Sequence, residues 1–482
     1  MPRHNTPLHV RSGRNLSAGS YDTHLSTLFQ TTNPKYRLRS HSVKKYLIVA
    51  ALASTGLLPP TTQASNGYFS YGFGTKNKGM AGAGVALPQD ALAAATNPAG
   101  TLHVGDRMDA GLSIFSPPRE YTQNANSAVG GGPPMPFGSN ADFTGTVESD
   151  KNAFPVPHFG YARAVDADSA FGIALYGNGG MNSTYRAADT TMDLGTFGAG
   201  DTGVDLAQLF VNFSYARRVS TDLTLGVGGI IAAQRFAAKG LANFGAMVAD
   251  GTADHLTNNG YDLSYGAGIQ AGALWQLSDR WSVGASYQTK MYMTRFDDYS
   301  DLFAGQGDFD IPATATLGLA FAPRDDLTFV FDVQRIFYSD VPALGNAMSA
   351  NITACAGGDL DACLGADGGA GFGWDDVTVY KIGAQWQATP DWTLRIGYSK
   401  GNQPVPTSGI LFNVLAPAVI EEHVTLGLTK QIGKDNEFSL SAMHGLSNDL
   451  DCGCTLPMTG GPKSINIASE HWEIEASYAW RF

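Results

Sequence analysis

Near the C-terminus the sequence alternates with period two. Trp472, Ile474, Ala476, Tyr478, Trp480 and Phe482 hold one parity, and His471, Glu473, Glu475, Ser477, Ala479 and Arg481 the other. Successive strand side chains point to opposite faces, so the segment has one apolar and one polar face. Trp281, Val283, Ala285 and Tyr287 alternate likewise with Ser282, Gly284, Ser286 and Gln288, as do Trp392, Leu394, Ile396 and Tyr398 with Thr393, Arg395, Gly397 and Ser399. Fourteen such segments succeed one another, starting near Asp106, Val156, Ser169, Leu206, Asp222, Tyr261, Trp281, Ile311, Leu327, Asp376, Trp392, Glu422, Glu437 and Glu470. Six connections are short and polar (DADS, RVSTD, LSDR, APRDD, ATPD, IGKDN). The seven that alternate with them are long, following Pro117, Asn178, Lys239, Arg295, Ser339, Asn402 and Ser447. An even number of strands with short turns at one end and long loops at the other is the pattern of a bacterial outer-membrane barrel, whereas a sandwich has no reason to sort its connections by length. The expected fold class is all-β, a transmembrane antiparallel β-barrel of about 14 strands over residues 106–482, closed because no backbone donor can be left bare in lipid.

Composition agrees with this reading. Charged residues make up 15% of the chain, against roughly 25% in a soluble domain. Mean hydropathy is −0.10, and the chain has no apolar run of the roughly 20 residues that a membrane-spanning helix needs. Residues 37–45 (RLRSHSVKK) are basic, residues 46–58 (YLIVAALASTGLL) apolar, and Thr62-Gln63-Ala64 precedes Ser65 with small residues. This is the layout of a secretory signal peptide, with an apolar run too short to cross hydrocarbon. Residues 1–36 lie upstream of it and read as an over-extended start or a disordered leader. The expected organisation is a leader over 1–64, an N-terminal hatch over 65–105 and the barrel over 106–482. Residues 1–64 hold 8 of the 31 Lys and Arg and one of the 43 Asp and Glu, so the remainder carries a net charge of −19. A negative chain without a basic patch repels phosphate backbones, so no nucleic-acid partner is expected.

Residues 65–105 do not alternate. They combine small residues, an Ala-rich stretch of helical character at Gln89–Ala95 and a turn at Asn97-Pro98-Ala99. A barrel of this strand number leaves a lumen that must be filled or conduct water, so this segment is expected inside it as a plug. Gly177, Asn178, Gly179 and Gly180 either permit a bulge or bend in the third strand or begin the loop after it. Cys355 and Cys363 fall in one long loop, and Cys452 and Cys454 in another. In an oxidising compartment they are expected to pair. Pairing within each loop is the first choice, although the small ring closed by Cys452-Gly453-Cys454 leaves cross-loop pairs open. His444 is the only nearby histidine in sequence, so no metal and no cofactor are expected. Gly397-Tyr398-Ser399-Lys400-Gly401 matches G-x-S-x-G without the helix that a nucleophile elbow requires, and no phosphate-binding glycine motif follows a strand, so no enzyme is expected.

The run GTKNKGMAGAGVALPQDALAAATNPAG, then GDRMDAGLSIFSPPREY, then YGNGGMNSTY at 176–185, together with the terminal aromatic, resembles the FadL family of outer-membrane long-chain fatty-acid channels, which also includes toluene and xylene channels. The resemblance extends from Ser65 to Phe482. It implies a hatch containing Asn97, Pro98 and Ala99, and an inward kink of the third strand at Gly177, Asn178, Gly179 and Gly180 that opens the wall toward lipid. It also implies a ligand pocket reached by Gly67, Tyr68 and Phe69, and a carboxylate-binding Arg in the stretch AAQRFAAKG. Arg235 and Lys239 share the parity opposite to Phe236 and are expected to face the lumen, with Arg235 the first candidate and Lys381, in the tenth strand, the second. The family often has a basic residue where this chain has Asp375 and Asp376, which keeps neutral hydrocarbons open.

The expected function is passive, multi-pass outer-membrane uptake of hydrophobic compounds. Long-chain fatty acids come first and aromatic hydrocarbons second, with ligand-triggered hatch movement and lateral exit. That route spares the ligand about 0.8 kcal/mol for every CH₂ not exposed to water. Readings of another class are an outer-membrane lipid hydrolase and a receptor or adhesion barrel. The expected partners are a hydrophobic small molecule, outer-membrane lipid and lipopolysaccharide, around a monomer.

Overall fold

The computed structural model describes residues 65–125, 144–190, 193–456 and 461–482; the expected leader lies outside them. One antiparallel sheet contains all the described strands. Three are accessory: Arg119–Ala125, Gly145–Glu148 and Tyr292–Met293. The other fourteen form the wall: β1 (Arg107–Ser116), β2 (Phe154–Asp166), β3 (Ser169–Asn182), β4 (Gly203–Arg218), β5 (Leu223–Lys239), β6 (Asp262–Ser278), β7 (Trp281–Gln288), β8 (Thr314–Arg324), β9 (Leu327–Ile336), β10 (Val377–Thr389), β11 (Trp392–Gly401), β12 (Glu422–Ile432), β13 (Asn436–Leu456) and β14 (Gly461–Arg481). Each pairs with the next, and β14 returns to β1 with Arg481 opposite Arg107 and Trp472 opposite Ser116, which closes the barrel.

The period-two pattern produces an inverted protein. Ile269, Leu317 and Ile474 stand 63%, 59% and 61% exposed on the outer face, while Gln234, Asn212, Asp332, Glu473 and Glu475 are buried inside. Leaving a side chain such as Ile in water forgoes roughly 1.5–3 kcal/mol, and a bilayer removes that cost. None of the described helices is long and apolar enough to cross a membrane.

The wall departs from expectation at three places. The stretch after Ser447 is not a long loop: Asn448–Leu456 pairs with Gly461–Ser469 after a register shift at Gly445, and Arg119–Ala125 extends this sheet alongside β14. The shift breaks the alternation, so the strand reads as ended. Gly177–Gly180 lie within β3, which runs on to Asn182, instead of starting a loop. β8 begins at Thr314, and Ile311 makes only an isolated bridge to Met291. Cys355 and Cys363, between β9 and β10, form a disulfide, and Cys452, in the extension of β13, is also disulfide-bonded.

Residues 65–105 fill the lumen. The expected Ala-rich helix shortens to a turn at Ala93–Thr96, followed by a 3₁₀ turn at Pro98–His103.

Candidate transport site

The hatch is held by charge at one level and by amides and aromatic packing at another. Lys78 Nζ lies 2.6 Å from both Glu473 and Glu475 on β14, Thr75 Oγ1 donates to Glu475 at 2.8 Å, and Lys76 pairs with Glu437 on β13. Burial works against the Lys78 ammonium, but the two glutamates prevail and hold its pKa above the usual lysine value. Burial lowers Lys76, assisted by Arg107 and Arg395, and raises Asp90, assisted by Asp109. On the far wall, Asp332 of β9 accepts from the Gly84 and Val85 N–H groups at 2.7 and 3.0 Å. Buried charges of this kind are tolerable only when paired.

Asn97, Pro98 and Ala99 act as one anchor. Asn97 Oδ1 accepts from the Ala99 N–H at 3.1 Å, which caps the 3₁₀ turn that Pro98 opens. Asn97 Nδ2 donates to the Val85 carbonyl at 2.8 Å and to the Ala273 carbonyl of β6 at 3.0 Å. One side chain thereby ties two hatch segments to the wall.

The hatch tip sits in an aromatic chamber. The Tyr68 ring lies 5.0 Å from Phe69, 6.2 Å from Phe309, 5.4 Å from Tyr338 and 6.1 Å from Trp374. The Tyr338 hydroxyl donates to the Asn66 carbonyl at 2.5 Å and accepts from the Tyr68 and Phe69 N–H groups at 3.1 and 3.2 Å. Gly67, at φ +70°, turns the chain there, and a Cβ on it would meet the Tyr338 hydroxyl at 2.6 Å. Burial raises the Tyr68 pKa, so its hydroxyl is neutral. Two neutral amides lie nearby: Gln208 Nε2 donates to Gln234 Oε1 at 3.0 Å, and Gln234 Nε2 to the Phe309 carbonyl at 2.8 Å. Below the tip a cavity of about 40 Å³ is lined by Phe69, Phe73, Asn178, Gln270, Asp332 and Lys381, among others. Small-molecule sites usually measure about 300–1,000 Å³, so a ligand needs the volume that Tyr68 and Phe69 now occupy.

The tip also completes a broken wall. The ladder between β2 and β3 ends at Phe159 and Leu175, although β2 stays paired with β1 as far as Phe154 and β3 with β4 as far as Asn182. Between Gly177 and Gly180 the β3–β4 register shifts, leaving Asn178 and Gly179 as a bulge. The free edge of β3 is taken by the hatch: the Ser70 N–H donates to the Asn178 carbonyl at 2.6 Å and the Gly180 N–H to the Tyr68 carbonyl at 3.0 Å. Nearer the long loops the two chains rejoin, where the Asp150 N–H donates to the Thr184 carbonyl at 2.9 Å. A stretch of wall is therefore left without a ladder.

The cations differ from expectation. Along β5 the even positions are buried and the odd ones partly exposed, so Gln234 and Phe236 enter the barrel while Arg235 and Lys239 stand on the outer side. Arg235 stacks 4.6 Å from the Tyr261 ring and lies 3.7 Å from Asp205. An aromatic side chain is at home both in lipid and in the chamber, so the parity of Phe236 was a poor guide. Lys381 of β10 does enter the lumen, where its Nζ donates to the Tyr71 carbonyl at 2.8 Å. Sequence reasoning singled out Ser399 in the G-x-S-x-G match but missed its neighbour: it faces His423 directly across β11 and β12, with Oγ 3.1 Å from Nδ1. Among the described residues, His423 Nε2 has no hydrogen-bond partner.

Residues 58–437 match the family model described as outer membrane protein transport protein (OMPP1/FadL/TodX). No curated protein matches the chain. The Pseudomonas putida toluene transporter TodX shares 17% identity over 86% of this chain and 99% of its own, with a TM-score of 0.60. A Pseudomonas aeruginosa FadL homologue shares 16% over 86% and 100%, at 0.61. The Ralstonia pickettii toluene transporter TbuX shares 17% over 86% and 99%, at 0.58. At these identities the likeness is one of fold.

Proposed function

The chain belongs to the OMPP1/FadL/TodX family of outer-membrane transport proteins, and on that premise we propose that it admits small neutral hydrophobic compounds, aromatic hydrocarbons foremost, and releases them sideways into the membrane. Its placement as an outer-membrane channel for hydrophobic substrates follows from the family. The substrate and the route are our reading.

The observation that carries this reading is that Tyr68 and Phe69 occupy an aromatic chamber while the same segment seals the free edge of β3. A ligand that takes the place of these rings removes the seal in the same movement, so entry and exit are coupled through one segment. The aromatic walls and neutral amides suit a molecule without a charged head group, and Arg235 and Lys239 face away. Residues 37–64 direct export and are removed, so the working chain begins at Ser65.

Fatty-acid transport is the second reading. Lys381 favours it, as a buried cation at the cavity that could exchange the Tyr71 carbonyl for a carboxylate. Uptake of toluene and of oleate by cells with and without the protein separates the two. Our reading requires protein-dependent toluene uptake that persists in Lys381→Met. Uptake of oleate alone, abolished by that substitution, would replace it with the second.

A further inference from the structure

The broken ladder has a second side, which the kink in β3 does not explain. Phe159 pairs with Leu175 and Tyr161 with Ile173; extending this register puts Pro157 opposite Gly177 and Pro155 opposite Gly179. In an antiparallel strand, N–H groups alternate between the two neighbours. The Ala164 N–H donates to Asp106 Oδ1 at 2.7 Å, on the side of β1, so the even positions of β2 direct N–H toward β1 and the odd positions toward β3. Both prolines are odd. They remove the two donors that would continue the β2–β3 ladder, and leave the β1–β2 ladder, which runs from Ala162 to Phe154, its full set.

A proline inside a sheet is ordinarily confined to an edge strand, and a closed barrel has no edges. Two prolines on the same side of one wall strand therefore mark a deliberate edge. They serve a second purpose in lipid, where an unsatisfied N–H costs several kcal/mol: at these positions β2 presents none. The opposite edge, on β3, does carry polar groups, and the hatch covers them through Tyr68 and Ser70.

We propose that Pro155 and Pro157 are positioning residues that keep the wall between β2 and β3 from zipping shut when the hatch tip leaves β3. This inference rests on the lateral-exit reading above. Without the prolines, the edge vacated by Tyr68–Ser70 would be taken by β2 and the exit would close as it was released.

The test is the variant Pro155→Thr/Pro157→Thr, studied by amide exchange in detergent with toluene present and by toluene uptake in cells. We expect the new amides at 155 and 157 to become protected when toluene is added, with loss of uptake. Free exchange at both positions in the folded barrel would overturn the role of the prolines, whatever uptake does. Protected amides with uptake as in the parent would leave the prolines their role in holding the edge open, and would overturn lateral exit instead. Should the double variant fail to insert, Pro157→Ala restores one donor next to the last existing pair and is read by the same two measurements.

Discussion

The carbonyl oxygen of Tyr68 lies 1.9 Å from the place a Cβ on Gly179 would occupy. The hatch tip and the third strand therefore share a contact that only glycine permits, and the tip docks because this position has no side chain.

Gly179→Ala should expel the tip. The Ser70 and Gly180 amides, which now donate to Asn178 and Tyr68, should lose their protection from exchange while the barrel amides keep theirs. Retained protection at Ser70 would mean that the tip reaches its chamber without β3.

Lys78→Met should loosen the lower hatch. The substitution leaves Glu473 and Glu475 buried with their principal cation gone, a defect of about 3–5 kcal/mol at side chains now 1% exposed. In planar bilayers the variant should show ion-conducting openings that the parent lacks, and adding Glu473→Gln with Glu475→Gln should suppress them. A silent Lys78→Met would show that the hatch is held by packing alone.

Asp308, in the segment between β7 and β8, should confer pH dependence on the loops. Burial, and then Asp310, raise its pKa from 3.8 to about 6, against the pull of Lys290. A folded-state value above the unfolded one means stability that is complete below about pH 4 and lost as pH rises through about 6. Amides around residues 304–311 should exchange faster at pH 7 than at pH 4.5 after correction for intrinsic rates, and Asp308→Asn should remove the difference. An unchanged pH dependence in the variant would assign it to another group.

Much of this architecture is legible in the sequence. Period-two alternation marks the wall strands because lipid and lumen impose opposite demands, and its loss over residues 65–105 marks the hatch. What stays hidden depends on register and closure. Ser399 and His423 are 24 residues apart in sequence and meet only because β11 and β12 pair with those residues opposed. Lys78 meets Glu473 and Glu475 across nearly the whole chain, a contact set by the hatch entering a closed ring. The stretch AAQRFAAKG has small residues on both parities, so only the observed wall assigns Arg235 to the outside. Pro155 and Pro157 are conspicuous in the sequence, but which neighbour each faces requires the register.

The central claim is that a hydrophobic molecule leaves through the gap between β2 and β3. Its most direct test is toluene uptake by a Val156→Cys/Asn178→Cys protein, in which the continued register opposes the two positions and both prolines are kept, before and after the two thiols are bridged by a short bifunctional reagent. The account predicts uptake in the unbridged protein and its loss on bridging, with the parent protein unaffected by the reagent. Uptake that survives in protein shown by mass to be fully bridged would place the exit elsewhere and contradict the account.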